Sequence, residues 1–124
     1  MVMARSRNSA KQAGARFERV VADCLRDYVS SFIDRRVKTG AKDKGDIANL
    51  RTPQGQRVVA ELKDYGGVFH VGTWLKEVEA ERVNDEALVG IVVAKRRGHA
   101  NPLDQAVIMT LRDYIALSTE QRPD

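Results

Sequence analysis

The chain has one cysteine, Cys24, so no intramolecular disulfide can close a loop, and a reducing compartment, the cytoplasm, is expected. No apolar run approaches the roughly 18 residues that a membrane-spanning helix requires, so no membrane partner is expected. Arg5 and Arg7 are not followed by an apolar stretch, which argues against a secretory signal. The two histidines, His70 and His99, lack the spacing of a zinc site. Acids are absent from the first sixteen residues, which carry Arg5, Arg7, Lys11 and Arg16. Internal repeats and low-complexity segments are absent as well.

What is present fits an ordinary globular protein. The 124 residues suggest one domain, enough to bury a core without disulfides or structural metal. Hydrophobic residues make up 43% and charged residues 31%. A net charge of +4 permits a polyanionic partner without requiring one.

Residues 1–9 are polar, basic and aperiodic, and read as a flexible arm ahead of a single domain over 10–120. Phe17, Val20, Val21, Cys24, Leu25 and Tyr28 then recur at helical spacing, which predicts a helix over 11–28 with Ser9 as its N-cap. Glu18 flanks that stripe and can lean toward whatever the helix packs on. Residues 31–38 read as a short strand and 39–45 as a loop. Residues 46–64 read as a hairpin, with strands at 47–51 and 57–64 and a turn at Thr52-Pro-Gln-Gly-Gln56. A charged surface helix capped by Thr73 follows to about Asn84, with Trp74, Leu75 and Val78 inward. Leu88–Ala94 reads as a buried central strand, 95–102 as a basic loop, 105–110 as a strand and 111–117 as a short helix. The order predicts an α/β fold, a mixed sheet flanked by helices.

Side chains alternate along a strand, so Val58, Ala60 and Leu62 share one face and Val59, Glu61 and Lys63 the other. A turn near Pro53-Gln54 brings Asp46 back beside Glu61–Lys63. Two carboxylates and a lysine then converge at one end of the hairpin. Such a group suits a hard divalent cation, which takes carboxylate, phosphate and water oxygens. The cation polarises phosphate and lowers the pKa of a bound water. A lysine alongside can position or deprotonate that water, or hold the phosphate. With 17 acids and seven lysines, an acid two residues before a lysine arises about once by chance, so Glu61-Leu62-Lys63 gains its weight from context.

That context is Gly45-Asp46-Ile47, a turn, then Val58-Val-Ala-Glu-Leu-Lys63. Together they resemble the core of the PD-(D/E)xK nucleases, with Gly45 where the motif's proline usually stands. With Gly14-Ala-Arg-Phe-Glu-Arg19 upstream and Arg36-Val-Lys-Thr-Gly40 before the acidic motif, the chain most resembles the archaeal-type Holliday junction resolvases, over roughly residues 11–95. The resemblance implies a restriction-endonuclease-like core. It implies metal ligation by Glu18, Asp46, Glu61 and the Leu62 carbonyl, with Lys63 assisting catalysis. Mg²⁺ is the implied cofactor, with Mn²⁺ able to substitute. The implied activity is endonucleolytic hydrolysis of branched DNA, such as four-way junctions, by a two-fold homodimer. The same core also serves restriction-like and end-processing nucleases, and a non-catalytic DNA-binding protein on this fold stays open.

Each residue also has a plainer reading. Glu61 and Lys63 can form a salt bridge on a solvated strand, Glu18 can be an exposed helix acid, and Asp46 a turn residue. Asp43 and Asp64 read as solvated, Cys24 as core, and Trp74 as a helix-to-core anchor. Arg5, Arg7, Lys11 and Arg16 suit phosphate contacts, as do Lys42 and Lys44 before Asp46 and Lys95, Arg96 and Arg97 after the central strand.

Overall fold

The computed structural model describes residues 6–38 and 40–124. Among them the chain forms a mixed α/β arrangement: α1 (Arg7–Tyr28), β1 (Asp34–Arg35), β2 (Ile47–Ala48), β3 (Val58–Lys63), α2 (Val71–Asn84), β4 (Val89–Ala94), β5 (Ala106–Ile108) and α3 (Leu111–Thr119). No described helix is long and apolar enough to cross a membrane.

The first helix starts earlier than its apolar spacing suggests. Ser6, not Ser9, is the N-cap, and its hydroxyl accepts the Ser9 N–H at 3.1 Å. Residues 7–9, expected in the arm, are therefore helical, while Arg5 lies outside the described residues. The buried stripe is also rotated. Ala13, Phe17, Val21 and Ala22 are buried and Glu18 is partly so, whereas Val20 is 41% and Tyr28 72% exposed and Cys24 is half-buried. Ala13, Phe17, Val21 and Ala22 define the face turned to the sheet, and Gly14 at its margin has open space around it. Glu18 is carried inward with them.

β3 and β4 run parallel, Val58 beside Val89 through Lys63 beside Ala94, and α2 makes the crossover that a parallel pair requires. β5 pairs antiparallel with the last three residues of β4 only. Beyond the end of β5, the β4 edge is completed by a side chain: Gly90 N–H donates to Asp113 Oδ1 at 3.0 Å. Asp113 also receives Arg122 at 2.6 Å and the Thr110 hydroxyl at 2.8 Å, which docks α3 against β4. Burial alone would raise the Asp113 pKa, but these donors outweigh it and hold the carboxyl below its ordinary range.

On the other side, β2 pairs antiparallel with β1 and is tied to β3 by two backbone bonds. Asp46 N–H donates to Ala60 O and Val58 N–H to Leu50 O, both at 2.9 Å, and Arg51 bridges Arg57. The expected hairpin is therefore there, but its ladder is broken at Asn49, whose φ is 68°. The strand expected over 31–38 is reduced to Asp34–Arg35, because a turn from Ser30 to Ile33 precedes it.

The alternation along β3 sorts the core into two layers. Val58, Ala60 and Leu62 pack with Phe17, Val21, Ile33, Ile47 and Ala116 under α1 and α3. Val59 packs with Trp74, Val78, Val92 and Ala94 under α2. α2 begins at Val71 rather than at Thr73, with His70 in the cap position and no side-chain cap bond. Trp74 is 2% exposed, a core anchor as its spacing suggests.

Gly45 sets the spacing between loop and sheet. Its φ is 88°, and a Cβ there would meet Val59 Cγ1 at 2.8 Å and Ala60 O at 3.1 Å. Left-handed backbone and overpacking each carry a penalty, so Gly45→Ala should destabilise the protein by about 2–4 kcal/mol in chemical denaturation. A shift below roughly 0.5 kcal/mol would show that the loop does not need this close approach.

Candidate functional site

The loop that Gly45 lets approach β3 delivers Asp46 to the strand. Asp46 is 3% exposed and is held from two sides. Leu62 N–H donates to its Oδ2 at 2.9 Å, and Lys38 Nζ lies 3.1 Å from its Oδ1. Since N–H and C=O of one strand residue point the same way, the Leu62 carbonyl also faces this side of β3. The next carbonyl, that of Lys63, faces β4 and accepts from Lys95 N–H.

Glu61 projects toward α2, as the alternation requires. It is 7% exposed, and its Oε1 lies 3.6 Å from Lys63 Nζ. Lys63 is held more closely by Glu77, at 2.8 Å. Burial pulls the Lys63 pKa down, but the Glu77 hydrogen bond and the charges of Glu61 and Glu77 outweigh it, so it is raised and the side chain is a firm ammonium. Glu18 is partly buried on α1, 3.8 Å from Arg35, its pKa raised by burial and then by the negative charge of Asp46. Asp46 is thus the common neighbour: its charge acts on Glu18 and on Glu61 alike. The structure brings Glu18, Asp46, Glu61 and Lys63 into one electrostatic group, as the sequence suggests.

Two acids belong to this group that the sequence reading passed over. Glu81 lies on α2, whose charged positions were expected at the surface, yet it is 5% exposed. Its position is legible afterwards: Trp74, Val78 and Glu81 are spaced i, i+4, i+7, one inward stripe. Asp43, expected to be solvated, is exposed, but its carboxylate lies in a cluster with Glu61 and Glu81 whose oxygens are within 4.8 Å of one another. Asn84 on α2 donates to the Asp43 carbonyl at 2.9 Å and holds the loop in place.

The buried pair carries a proton load. Burial first, then the adjoining Glu81 carboxyl and the charge of Asp46, raise Glu61, and Lys63 only partly offsets this. Burial and the charges of Asp43 and Asp46 raise Glu81.

The expected phosphate-binding cations fall in different places. Lys42 and Lys44 are exposed and, with Arg36 and Lys38, line a cavity of about 260 Å³ in the loop leading to Asp46. Arg36 and Lys38, part of the segment before the acidic motif, are not among the phosphate contacts expected from the sequence. On α1, Arg7, Lys11 and Arg16 are all exposed but do not form one patch. At about 100° per residue, Arg7 and Lys11 lie on the side of Glu18, and Arg16 lies about 180° from Arg7. Arg16 instead lines a second cavity with Asp64 and Lys95. Lys95 is committed to the carbonyls of Arg96 and His99. Arg96 donates to Asp104 O at 3.0 Å and Arg97 to Gly66 O at 3.2 Å. These three cations brace their loop.

Compared with protein-family models, curated proteins and solved structures, the chain matches none.

The raised carboxyls set a pH dependence with a definite sign. Folded pKa values above the ordinary 4.5 mean that the folded state holds more protons than the unfolded state from that pH upward. The stability they confer is therefore complete below pH 4.5 and is lost as pH rises through neutrality. In chelator, the melting temperature should fall from pH 5 to pH 9. Glu61→Gln should flatten that slope and raise the melting temperature at pH 8 by on the order of 5 °C. Melts rising with pH over this range would contradict the assignment.

Proposed function

We propose that the chain is a metal-dependent endodeoxyribonuclease on a restriction-endonuclease-like core, acting on branched DNA in the manner of Holliday junction resolvases. The observation that carries the reading is Asp46 clasped to Leu62 N–H beside Glu61, whose Oε2 is buried and reached by no N–H or hydroxyl donor of the described residues. A buried carboxyl there is costly to ionise, so it holds a proton until a cation takes the proton's place. The residues fit a divalent ion of the hard, oxygen-liganded kind. Asp46, Glu61 and the Leu62 carbonyl would hold it, with Glu18 behind them. Bound there, Mg²⁺ or Mn²⁺ supplies neutralisation of phosphate charge and a lowered pKa for a ligating water.

The chain's own residues divide the remaining work. Lys63, held as an ammonium by Glu77, donates to a phosphate oxygen or orients the attacking water. Lys38 is 63% exposed and pairs with Asp46, so it can swing from that carboxylate to an incoming phosphate as the site loads. Lys42 and Lys44 extend the positive charge along the strand being cut, and Arg7 and Lys11 extend it over α1. Phosphate contacts of this kind give affinity and register without reading sequence. Two symmetric cuts in a junction need two sites related by a two-fold axis, so the working form in this reading is a homodimer in the cytoplasm.

The test is cleavage of a labelled four-way junction beside a linear duplex of the same sequence, with Mg²⁺ and then Mn²⁺. Paired nicks in the junction are expected, reduced by about two orders of magnitude or more in Asp46→Asn and Glu61→Gln. Asp46→Asn should bind the junction as well as the wild type, or better, since a negative charge near phosphate is gone. Equal cutting of duplex and junction would keep the nuclease and discard the resolvase, leaving a restriction-like or end-processing enzyme. Tight, salt-sensitive binding without cutting under either ion would make the chain a DNA-binding module.

A further inference from the structure

Asp46 is not where the unsatisfied oxygens are. Its Oδ1 is engaged by Lys38 and its Oδ2 by Leu62 N–H. The buried carboxyl oxygens that no N–H or hydroxyl donor of the described residues reaches are Glu61 Oε2 and Glu81 Oε2, and the two carboxyls adjoin each other. Glu61 and Glu81 are each more than nine-tenths buried, and with Asp43 they bring three carboxylate oxygens within 4.8 Å of one another. Lys63, the cation paired with Glu61, lies nearer to Glu77.

Packing fixes Glu61 and Glu81, and hydrogen bonds fix the exposed Asp43. Glu61 is set by the alternation of β3, buried on both faces. Glu81 is set by the Trp74–Val78 stripe that seats α2 on the sheet. Asp43 is set by Asn84, three residues after Glu81, and by its own bond from Gly45 N–H at 2.9 Å. A fold that seats three carboxyls together pays a repulsion and desolvation penalty, which protons shared by Glu61 and Glu81 relieve in the free protein and which one divalent ion can relieve in their place. Six-coordinate Mg²⁺ or Mn²⁺, with oxygens at about 2.1 Å, sets neighbouring ligands about 3 Å apart, within reach of small side-chain rotations from the present separations.

We propose that Asp43, Glu61 and Glu81 form a divalent-cation seat on the α2 side of β3, separate from Asp46. The seat shares Glu61 with the nuclease reading but does not need Asp46, Lys63 or a nucleic-acid substrate to bind its ion. Where both seats fill, Glu61 stands between them, and its two oxygens let it serve each. α2 then contributes to the site through Glu81 as a ligand as well as through Glu77 as the partner of Lys63.

The test is isothermal titration calorimetry of the full chain with Mn²⁺ and with Mg²⁺, without DNA, alongside thermal melts of each variant in chelator. Wild type and Asp46→Asn should both show the binding heat. Glu81→Gln should weaken it by about tenfold or more, and Asp43→Asn similarly. Glu81→Gln keeps the side-chain shape and removes a buried acid, so it should melt no lower than wild type without metal, which separates lost ligation from lost fold. Asp43 is exposed, so Asp43→Asn tests the seat again without touching the core. Retained wild-type affinity in both variants would overturn the proposal, as would absence of a heat with either ion in the wild type. Junction cleavage is read in a separate assay. A protein that binds the ion through Asp43 and Glu81 but cuts no DNA would refute the nuclease and leave the seat standing. Cutting that depends on Asp46 with unaltered binding in Glu81→Gln would do the reverse.

Discussion

Asp46 is attached to β3 twice, through its own N–H to Ala60 O and through its carboxylate to Leu62 N–H. Those two bonds join the β1–β2 ribbon to the three-stranded sheet at the point where its backbone leaves regular pairing. They need the loop before Asp46 to pass within van der Waals contact of Val59 and Ala60, which only a residue without a Cβ allows. The other acids of the group gather around this clasp, each brought there by its own element. Glu18 reaches it because it borders the face of α1 buried through Phe17, Val21 and Ala22. Glu61 reaches it because β3 alternates, and Asp43 because it lies three residues earlier on the same loop.

Stability and the site's chemistry pull in opposite directions here. A sheet covered on both faces would be most stable with apolar residues at 61 and 81, and the fold keeps glutamates at both. Their burial holds protons at neutral pH, as expected for carboxylates forced together in a low-dielectric setting. Such groups concentrate at functional sites, where an ion or substrate supplies the missing charge. Structural ion pairs elsewhere in the chain behave differently. Asp113 is as deeply buried as Glu81, but Gly90, Thr110 and Arg122 all donate to it, and its pKa is lowered. The contrast between Asp113 and Glu81 separates a carboxylate held ionised by three donors from a carboxyl that burial and neighbouring acids keep protonated.

Positive charge is similarly partitioned. The cations nearest Asp46 (Lys38, Lys42 and Lys44) surround a cavity, whereas Lys95, Arg96 and Arg97 spend donors on loop carbonyls.

The sequence by itself determined the order of elements, the two faces of β3 and the convergence of Asp46 with Glu61 and Lys63, because a strand's two-residue period and a turn's length are local properties. It also placed Trp74 inside and β4 at the sheet centre, since a continuous apolar run must be covered on both sides. Tertiary structure alone decided which of the charged residues on α2 turns inward. Glu81 shares the spacing of Trp74 and Val78, but its charge points to the surface, and only the docking of that stripe on β3 and β4 buries it. It decided likewise that α1 rotates toward Glu18 and that Arg16 parts from Arg7. Helical periodicity defines a stripe only to within a residue or so, and the sheet it lands on sets the rest. Asp43 joined the cluster through Asn84, a hydrogen bond across 41 residues that no local pattern encodes.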